Sequence, residues 1–248
     1  YNAYETELTS SQLTNIEMLN QTNVVDYGVI SIDFSKVFTN RLLSIELLNN
    51  DPIKIGSKSL TENEHGYKVL KGNIIGYDNS YAILVFKGQK ISGTINFADK
   101  LYEIRTFLDN KYILIEKDKS YIPHEHQPLI LNSIENKQES DLNEITDDGS
   151  VIDVLVAYNN SAASQAGDIN TLIQVAVEES NMAYSRSNIT PRLNLVYAYN
   201  TNYIESGNYS TDLERLTNKS DGFIDEIHDL RDAYGADVCV LFLPTGDY

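Results

Sequence analysis

Between residues 24 and 117, short hydrophobic runs alternate with turn-forming residues, and this pattern predicts β-strands. Hydrophobic and polar positions alternate cleanly over 43–47, whereas 81–86 is a continuous apolar run. The other predicted strands lie at 29–34, 91–95, 101–105 and 112–116. Short strands that follow one another every ten residues or so indicate an antiparallel meander, a sandwich or a small barrel.

The hydrophobic pattern changes after residue 150, where strands and helices alternate. Residues 151–157 are nearly all apolar, as in a strand that is covered on both faces. Apolar residues recur at helical spacing over 169–187, and strands are predicted at 192–199 and 236–243.

A second helix is predicted between those last two strands. Thr211 and Glu214 have the spacing of a capping box, and an apolar stripe runs from Phe223 to Tyr234. Gly235 follows the stripe as a plausible left-handed residue that ends the helix. The resulting order β-α-β-α-β predicts an α/β fold with a mostly parallel sheet.

A polar stretch separates the two halves. Residues 132–150 carry few apolar positions, so we interpret them as a linker between a β-rich domain at 1–131 and an α/β domain at 151–248. Pro123 and Pro128 precede the linker and favour an extended, non-helical segment.

The amino-acid composition excludes some classes of binding partner. The net charge of −17 argues against nucleic acid and anionic membrane, because both favour clustered Lys and Arg. No apolar run approaches the roughly 20 residues of a membrane span. The single cysteine, Cys239, allows no disulfide within the chain; it is either a small buried hydrophobe or the partner of a cysteine beyond Tyr248.

Five segments of the second half, taken in order, resemble one known family. They are 151–158, 181–184, 192–196, Asp212-Leu213 and 230–238. Together they resemble the N-terminal part of the catalytic domain in bacterial reprolysin-like (adamalysin/ADAM-type) metallopeptidases, a branch of the metzincins. In the first half, 91–95, 101–105 and 123–128 resemble the pro-segments that precede such domains.

The resemblance implies a secreted zinc-dependent metalloendopeptidase in zymogen form, which hydrolyses peptide bonds with a zinc-activated water. It also implies the fold class: an α+β pro-domain rich in antiparallel β, followed by an α/β metzincin-like N-terminal subdomain with an incomplete sheet. The expected partners are protein or peptide substrates and the remainder of the catalytic domain. Asp153 is a candidate calcium ligand, with a bond to a neighbouring backbone amide as the alternative.

Metzincin chemistry requires the motif H-E-x-x-H-x-x-G-x-x-H, in which three histidines hold Zn²⁺. The four histidines of the chain do not form it; His228, for example, is followed by Asp229-Leu230-Arg231-Asp232. We therefore expect the zinc motif beyond Tyr248, no catalytic or metal-binding residue within the chain, and no activity from the chain alone.

The segment between the two prolines contains candidate latency residues. His124, Glu125 and His126 carry side chains that bind zinc, and the open fourth position of a catalytic zinc can accept such a ligand. One hypothesis is that His126 or Glu125 blocks the zinc in the proenzyme. The alternative is a solvated linker without this role.

A second function class fits the same sequence. The chain could be a secreted binding or adhesion module, with a β-rich domain and an α/β domain whose protease site is decayed or absent. The sequence that follows Tyr248 discriminates between the two, because only the peptidase hypothesis requires H-E-x-x-H there.

Overall fold

The computed structural model describes residues 19, 23–32, 34, 37–38, 42–48, 52–108, 111–121 and 150–244. The chain divides into two compact units. The first combines Tyr1–Ile122 with Ala163–Glu178, and the second combines Pro123–Ala162 with Glu179–Tyr248. The boundary between Glu178 and Glu179 therefore falls within a single helix, Ile169–Arg186.

The first unit is built on an eight-stranded antiparallel sheet. Its spatial order is β1-β8-β7-β6-β5-β4-β3-β2, so strands β2 to β8 form a meander and β1 pairs with β8. The strands are β1 (Val24–Ile30), β2 (Leu42–Ile45), β3 (Ile53–Glu62), β4 (Lys68–Ile74), β5 (Tyr81–Lys87), β6 (Lys90–Phe97), β7 (Lys100–Leu108) and β8 (Lys111–Lys117).

The central strands of this sheet are buried on both faces. Neighbouring residues Leu84 and Val85 point to opposite faces, and both are fully buried. The inner face carries the main core, with Leu70, Leu84, Ile104 and Leu114 in a row across the strands. The outer face carries Val69, Val85, Ser92 and Arg105, which are also directly opposite one another.

Helical residues cover part of the outer face within the first unit. Helix α1 (Asn160–Ala166) and helix α2 (Ile169–Arg186) are separated by Gly167 and Asp168. Val175 of α2 packs in a buried cluster with Tyr67, Val69 and Val85. The Thr171 hydroxyl lies 2.8 Å from the Ser92 hydroxyl in a hydrogen bond that is fully buried.

The second unit contains a three-stranded parallel sheet in the order β10-β9-β11. Its strands are β9 (Val151–Tyr158), β10 (Arg192–Asn200) and β11 (Val238–Phe242). Helices α3 (Tyr209–Thr217) and α4 (Glu226–Tyr234) lie between β10 and β11 in sequence. Leu155 and Ala157 of the central strand pack in one core with Ile224 and Ile227.

The fold class predicted from the sequence is wrong. The protein is mostly antiparallel β, with 44% of the described residues in strands and 25% in helices, rather than an α+β pro-domain followed by a β-α-β-α-β metzincin subdomain. Two helices, not one, lie in each connection between the parallel strands. The first connection divides at Gly167, whose φ of 75° ends α1 before α2 begins.

The start of α3 also differs from the prediction. Asn208, not Thr211, is the N-cap, and its side-chain oxygen accepts a hydrogen bond from the Thr211 backbone N–H at 3.0 Å. The predicted end of α4 is confirmed, because Gly235 adopts a left-handed conformation and its N–H donates to the Arg231 carbonyl. Among the described residues, no helix is long and apolar enough to cross a membrane.

The amide of Asn181 in α2 hydrogen-bonds to the backbone of β10. Its Oδ1 accepts from the Leu193 N–H at 2.8 Å, and its Nδ2 donates to the Leu193 carbonyl at 2.9 Å. The side chain thus satisfies both backbone groups of Leu193, as a neighbouring strand would do.

We expect Asn181→Leu to lower the free energy of unfolding by about 2 kcal/mol, because both backbone groups lose a protein partner. Urea denaturation followed by far-UV circular dichroism measures the change. Met182→Leu on the same helix is the matched control and should cost less than about 1.5 kcal/mol, since the volume is conserved. Equal effects of the two substitutions would contradict the role of the amide.

Candidate functional site

The predicted latency residues His124, Glu125 and His126 lie outside the described residues. His65 lies in the turn between β3 and β4, where its Nε2 is 3.6 Å from a carboxylate oxygen of Glu64. His228 lies on α4, and its Nε2 is 3.2 Å from the Asn218 carbonyl oxygen. The structure thus places these two histidines in different units, and neither has a second histidine beside it in the sequence.

Polar side chains gather where the parallel strands end, which is where open α/β sheets bind ligands. Asn159 follows β9, is buried, and accepts a hydrogen bond from the Ala162 N–H at 2.8 Å. Thr201 follows β10, and its hydroxyl donates to the Glu226 carboxylate at 3.0 Å. The Thr201 N–H donates to the Tyr158 carbonyl at 2.8 Å. Asn159 thus connects the end of β9 to the first turn of α1. Thr201 connects the end of β10 to the end of β9 and to the first residue of α4.

Three tyrosines of β10 and α4 stack on one another. The rings of Tyr197 and Tyr234 are 4.1 Å apart between centroids and nearly parallel, and Tyr199 stacks on Tyr197 at 6.1 Å. Burial, and next the nearby Glu226 carboxylate, raise the pKa of the Tyr199 phenol. The phenol therefore stays neutral at physiological pH.

Cys239 in β11 is half-buried and free. Burial is the largest cause of the raised pKa of its thiol; Arg231 lowers the pKa and Asp232 raises it again. A raised pKa keeps the sulfur protonated, whereas nucleophiles and metal ligands require the thiolate. The environment of Cys239 therefore suits a packing role within β11.

Asp153, the candidate calcium ligand, has a side-chain partner. Its Oδ1 accepts a hydrogen bond from Asn194 Nδ2 at 2.9 Å, and its backbone N–H donates to the Asp237 carboxylate at 2.8 Å. The predicted alternative was a bond from the carboxylate to a backbone amide, and the observed donor is instead a side-chain amide.

The described parts of the chain contain no group of three or more His, Cys, Asp or Glu side chains arranged to hold a metal ion. Zinc sites in peptidases use three protein ligands and leave one position open. The described residues therefore do not fit a catalytic zinc.

The sequence did not identify the role of Asp212, although this residue carries part of the family resemblance. Its carboxylate is 5% exposed and accepts hydrogen bonds from the Tyr203 hydroxyl and from the Ser206 N–H at 2.9 Å. Arg215 donates to the same Tyr203 hydroxyl at 3.2 Å, and its guanidinium lies 3.8 Å from the Phe223 ring centre. Asp212 thus fixes the loop before α3. The spacing of Asp212 from Tyr203 in the sequence matches no known motif, so this role could not be predicted.

The chain is homologous to curated bacterial metalloendopeptidases. It is 34% identical over 174 residues to a peptidyl-Asp metalloendopeptidase of Xanthomonas campestris, across 67% of this chain and 42% of that protein. It is 38% identical over 173 residues to peptidyl-Asp metalloendopeptidases of two Stenotrophomonas maltophilia strains, across 67% of this chain and 41% of each relative. The chain thus spans less than half the length of the curated relatives that it matches.

No protein-family model matches the chain. A crystal structure of metalloproteinase-II from Bacteroides fragilis aligns with 84% of this chain and 63% of its own, at 12% identity and a TM-score of 0.40. A TM-score this low does not establish a shared fold.

Proposed function

We propose that this chain belongs to the precursor of a secreted zinc-dependent metalloendopeptidase. The observation that carries the proposal is the 34–38% identity, over about two thirds of the chain, to proteins named as metalloendopeptidases. The relatives are more than twice as long as the matched region. Their additional length is consistent with our proposal that the zinc motif lies in sequence outside this chain.

The finer parts of the proposal rest on the sequence. The ordered segments from 151–158 to 230–238 support a reprolysin-like metzincin, and the β-rich first half supports a zymogen with a pro-segment. Zinc is the proposed catalytic metal, with ligands outside this chain, and Asp153 remains a candidate calcium ligand. The proposed partners are peptide substrates and the remainder of the catalytic domain.

The name of the relatives suggests a substrate. They are peptidyl-Asp metalloendopeptidases, so we assign the same preference to this protein: hydrolysis of peptide bonds that join aspartate to the preceding residue. Two peptides that differ only by Asp and Asn at this position test the preference, because the pair differs in charge and hardly in size.

We expect the 248-residue chain to bind no stoichiometric zinc and to cleave neither peptide, because its sequence lacks the three-histidine set. The product of the full gene, once activated, should bind about one zinc per chain and cleave the Asp peptide at least tenfold faster than the Asn peptide. Elemental analysis and peptide hydrolysis with and without a chelator measure both properties.

The outcomes distinguish the two function classes. Chelator-sensitive cleavage by the 248-residue chain would show that the site lies within it. A full-length product that neither binds zinc nor cleaves peptides would favour the binding or adhesion module.

Limited proteolysis should make its first cuts between Asn132 and Ser150, because few apolar side chains anchor that stretch and proteases act where the chain opens locally. Mass spectrometry of the earliest fragments locates the cuts. The buried strands of residues 80–116 are the internal comparison, and first cuts there would show that the domain boundary is misplaced.

A further inference from the structure

The outer face of the sheet presents a row of side chains that crosses the strands. Val69 on β4, Val85 on β5, Ser92 on β6 and Arg105 on β7 are each directly opposite the next. On one face of a sheet such neighbours lie within contact distance of each other. The row changes from apolar at Val69 and Val85 to polar at Ser92 and Arg105.

The segment 163–178 matches this row in the same order. Val175 packs on Val69 and Val85, and Thr171 bonds to Ser92 at 2.8 Å. The carbonyl of Gln165 accepts from Arg105 at 3.4 Å. Thr171 and Val175 are four residues apart, so they lie on one face of α2. Apolar residues therefore meet apolar ones, and polar groups meet polar ones.

Two further contacts fix the far end of the segment. Lys71 on β4 forms an ion pair with Glu178, with 2.6 Å between nitrogen and oxygen. The amide of Asn63 lies 3.4 Å from that of Gln174, which is 5% exposed. At the near end, Gly167 lies so close to the Thr106 carbonyl that no side chain fits between them.

The central contact of this surface is polar although fully buried. Ser92 and Thr171 are both 0% exposed, and Thr171 also donates to the Asp168 carbonyl at 3.1 Å. A buried hydroxyl without a partner costs free energy, so a shift of the helix along the sheet is penalised. Contacts of this mixed character are typical of surfaces between pieces that can separate, whereas obligate interfaces are more apolar.

We propose that the outer face of the sheet is a docking surface for the segment 163–178, and that it holds the chain together non-covalently after the linker at 132–150 is cut. A cut in the linker leaves the sheet on the N-terminal fragment. The segment that packs on it, which includes the first half of α2, is then on the C-terminal fragment. The surface is defined by Val69, Lys71, Val85, Ser92 and Arg105. This inference does not require the protein to be a peptidase.

The test is a 248-residue chain with the recognition sequence of a specific protease inserted in the linker. After complete cleavage, the two fragments should elute together from a size-exclusion column at micromolar concentration. Separate elution of the two fragments would overturn the proposal.

Charge substitutions locate the surface. Lys71→Glu places two carboxylates opposite each other and should weaken the complex about tenfold, whereas Lys71→Glu with Glu178→Lys should restore it. Lys54→Glu, an exposed position on β3, makes the same charge change as a control. Far-UV circular dichroism of the uncut variants verifies folding. If the fragments stay together but the dissociation constant does not respond to Lys71→Glu, retention arises elsewhere and the proposal fails.

Discussion

Replacing both His126 and Glu125 with alanine in the full-length proenzyme should raise its peptidase activity about tenfold. A ligand tethered by a short flexible linker can reach an effective concentration of about 1 mM. With a dissociation constant of about 0.1 mM, such a ligand leaves only about one zinc site in ten open. The substitutions remove the side chains that we propose to block the zinc, so water regains the open position. Initial rates on a peptide substrate, before any processing of the precursor, measure the effect.

The matched control is Glu64→Ala with His65→Ala. This pair has the same two residue types, and its side chains are 79% and 45% exposed in the turn between β3 and β4. It should leave latency unchanged. If the precursor with both His126 and Glu125 replaced is as inactive as the parent, residues 123–128 are only a linker. The group that blocks the zinc then lies elsewhere.

Gly167→Ala should lower the free energy of unfolding by more than about 3 kcal/mol. A Cβ atom at this position would lie 1.9 Å from the Thr106 carbonyl oxygen, and the φ of 75° is itself unfavourable for alanine. Relief requires the backbone of β7 or of the turn between α1 and α2 to move. Chemical denaturation measured by circular dichroism is suitable, because the chain has no tryptophan.

Gly66→Ala separates the two causes. Gly66 has the same φ of 75° but no atom within 4 Å of the position of a Cβ, so it should cost only about 1–2 kcal/mol. If both variants lose the same stability, the close approach to Thr106 has no energetic consequence, and strain at positive φ explains the whole effect.

Strands with a clear hydrophobic pattern could be predicted from the sequence, and strands without such a pattern could not. The predicted strand at 112–116 corresponds to β8, and the helix over 169–187 corresponds to α2. Strand β3 was missed because a register shift between Ser57 and Ser59 interrupts its alternation. Strand β4 was missed because Lys71, Gly72 and Asn73 follow Val69 and Leu70, so the strand shows neither alternation nor a continuous apolar run.

For the candidate site, the sequence supported only a hypothesis about which residues block the zinc. The latency residues came from residue chemistry and a resemblance, and their positions lie outside the described residues. The docking surface was not predicted at all, because Ser92 and Thr171 are polar and hydrophobic periodicity assigns such residues to the solvent. Their burial depends on a contact between residues 79 positions apart, which no local pattern encodes.

The long sequence separation within the docking surface has a consequence for the order of events during synthesis. Chains fold from the N-terminus as they are made, and strands β2 to β8 pair with their neighbours in sequence. The sheet can therefore be complete before α2 leaves the ribosome. The helix then packs against a sheet that has already folded. In a circular permutant made with residues 151–248 first, Thr171 and Val175 would emerge uncovered and would remain so until translation supplied the sheet.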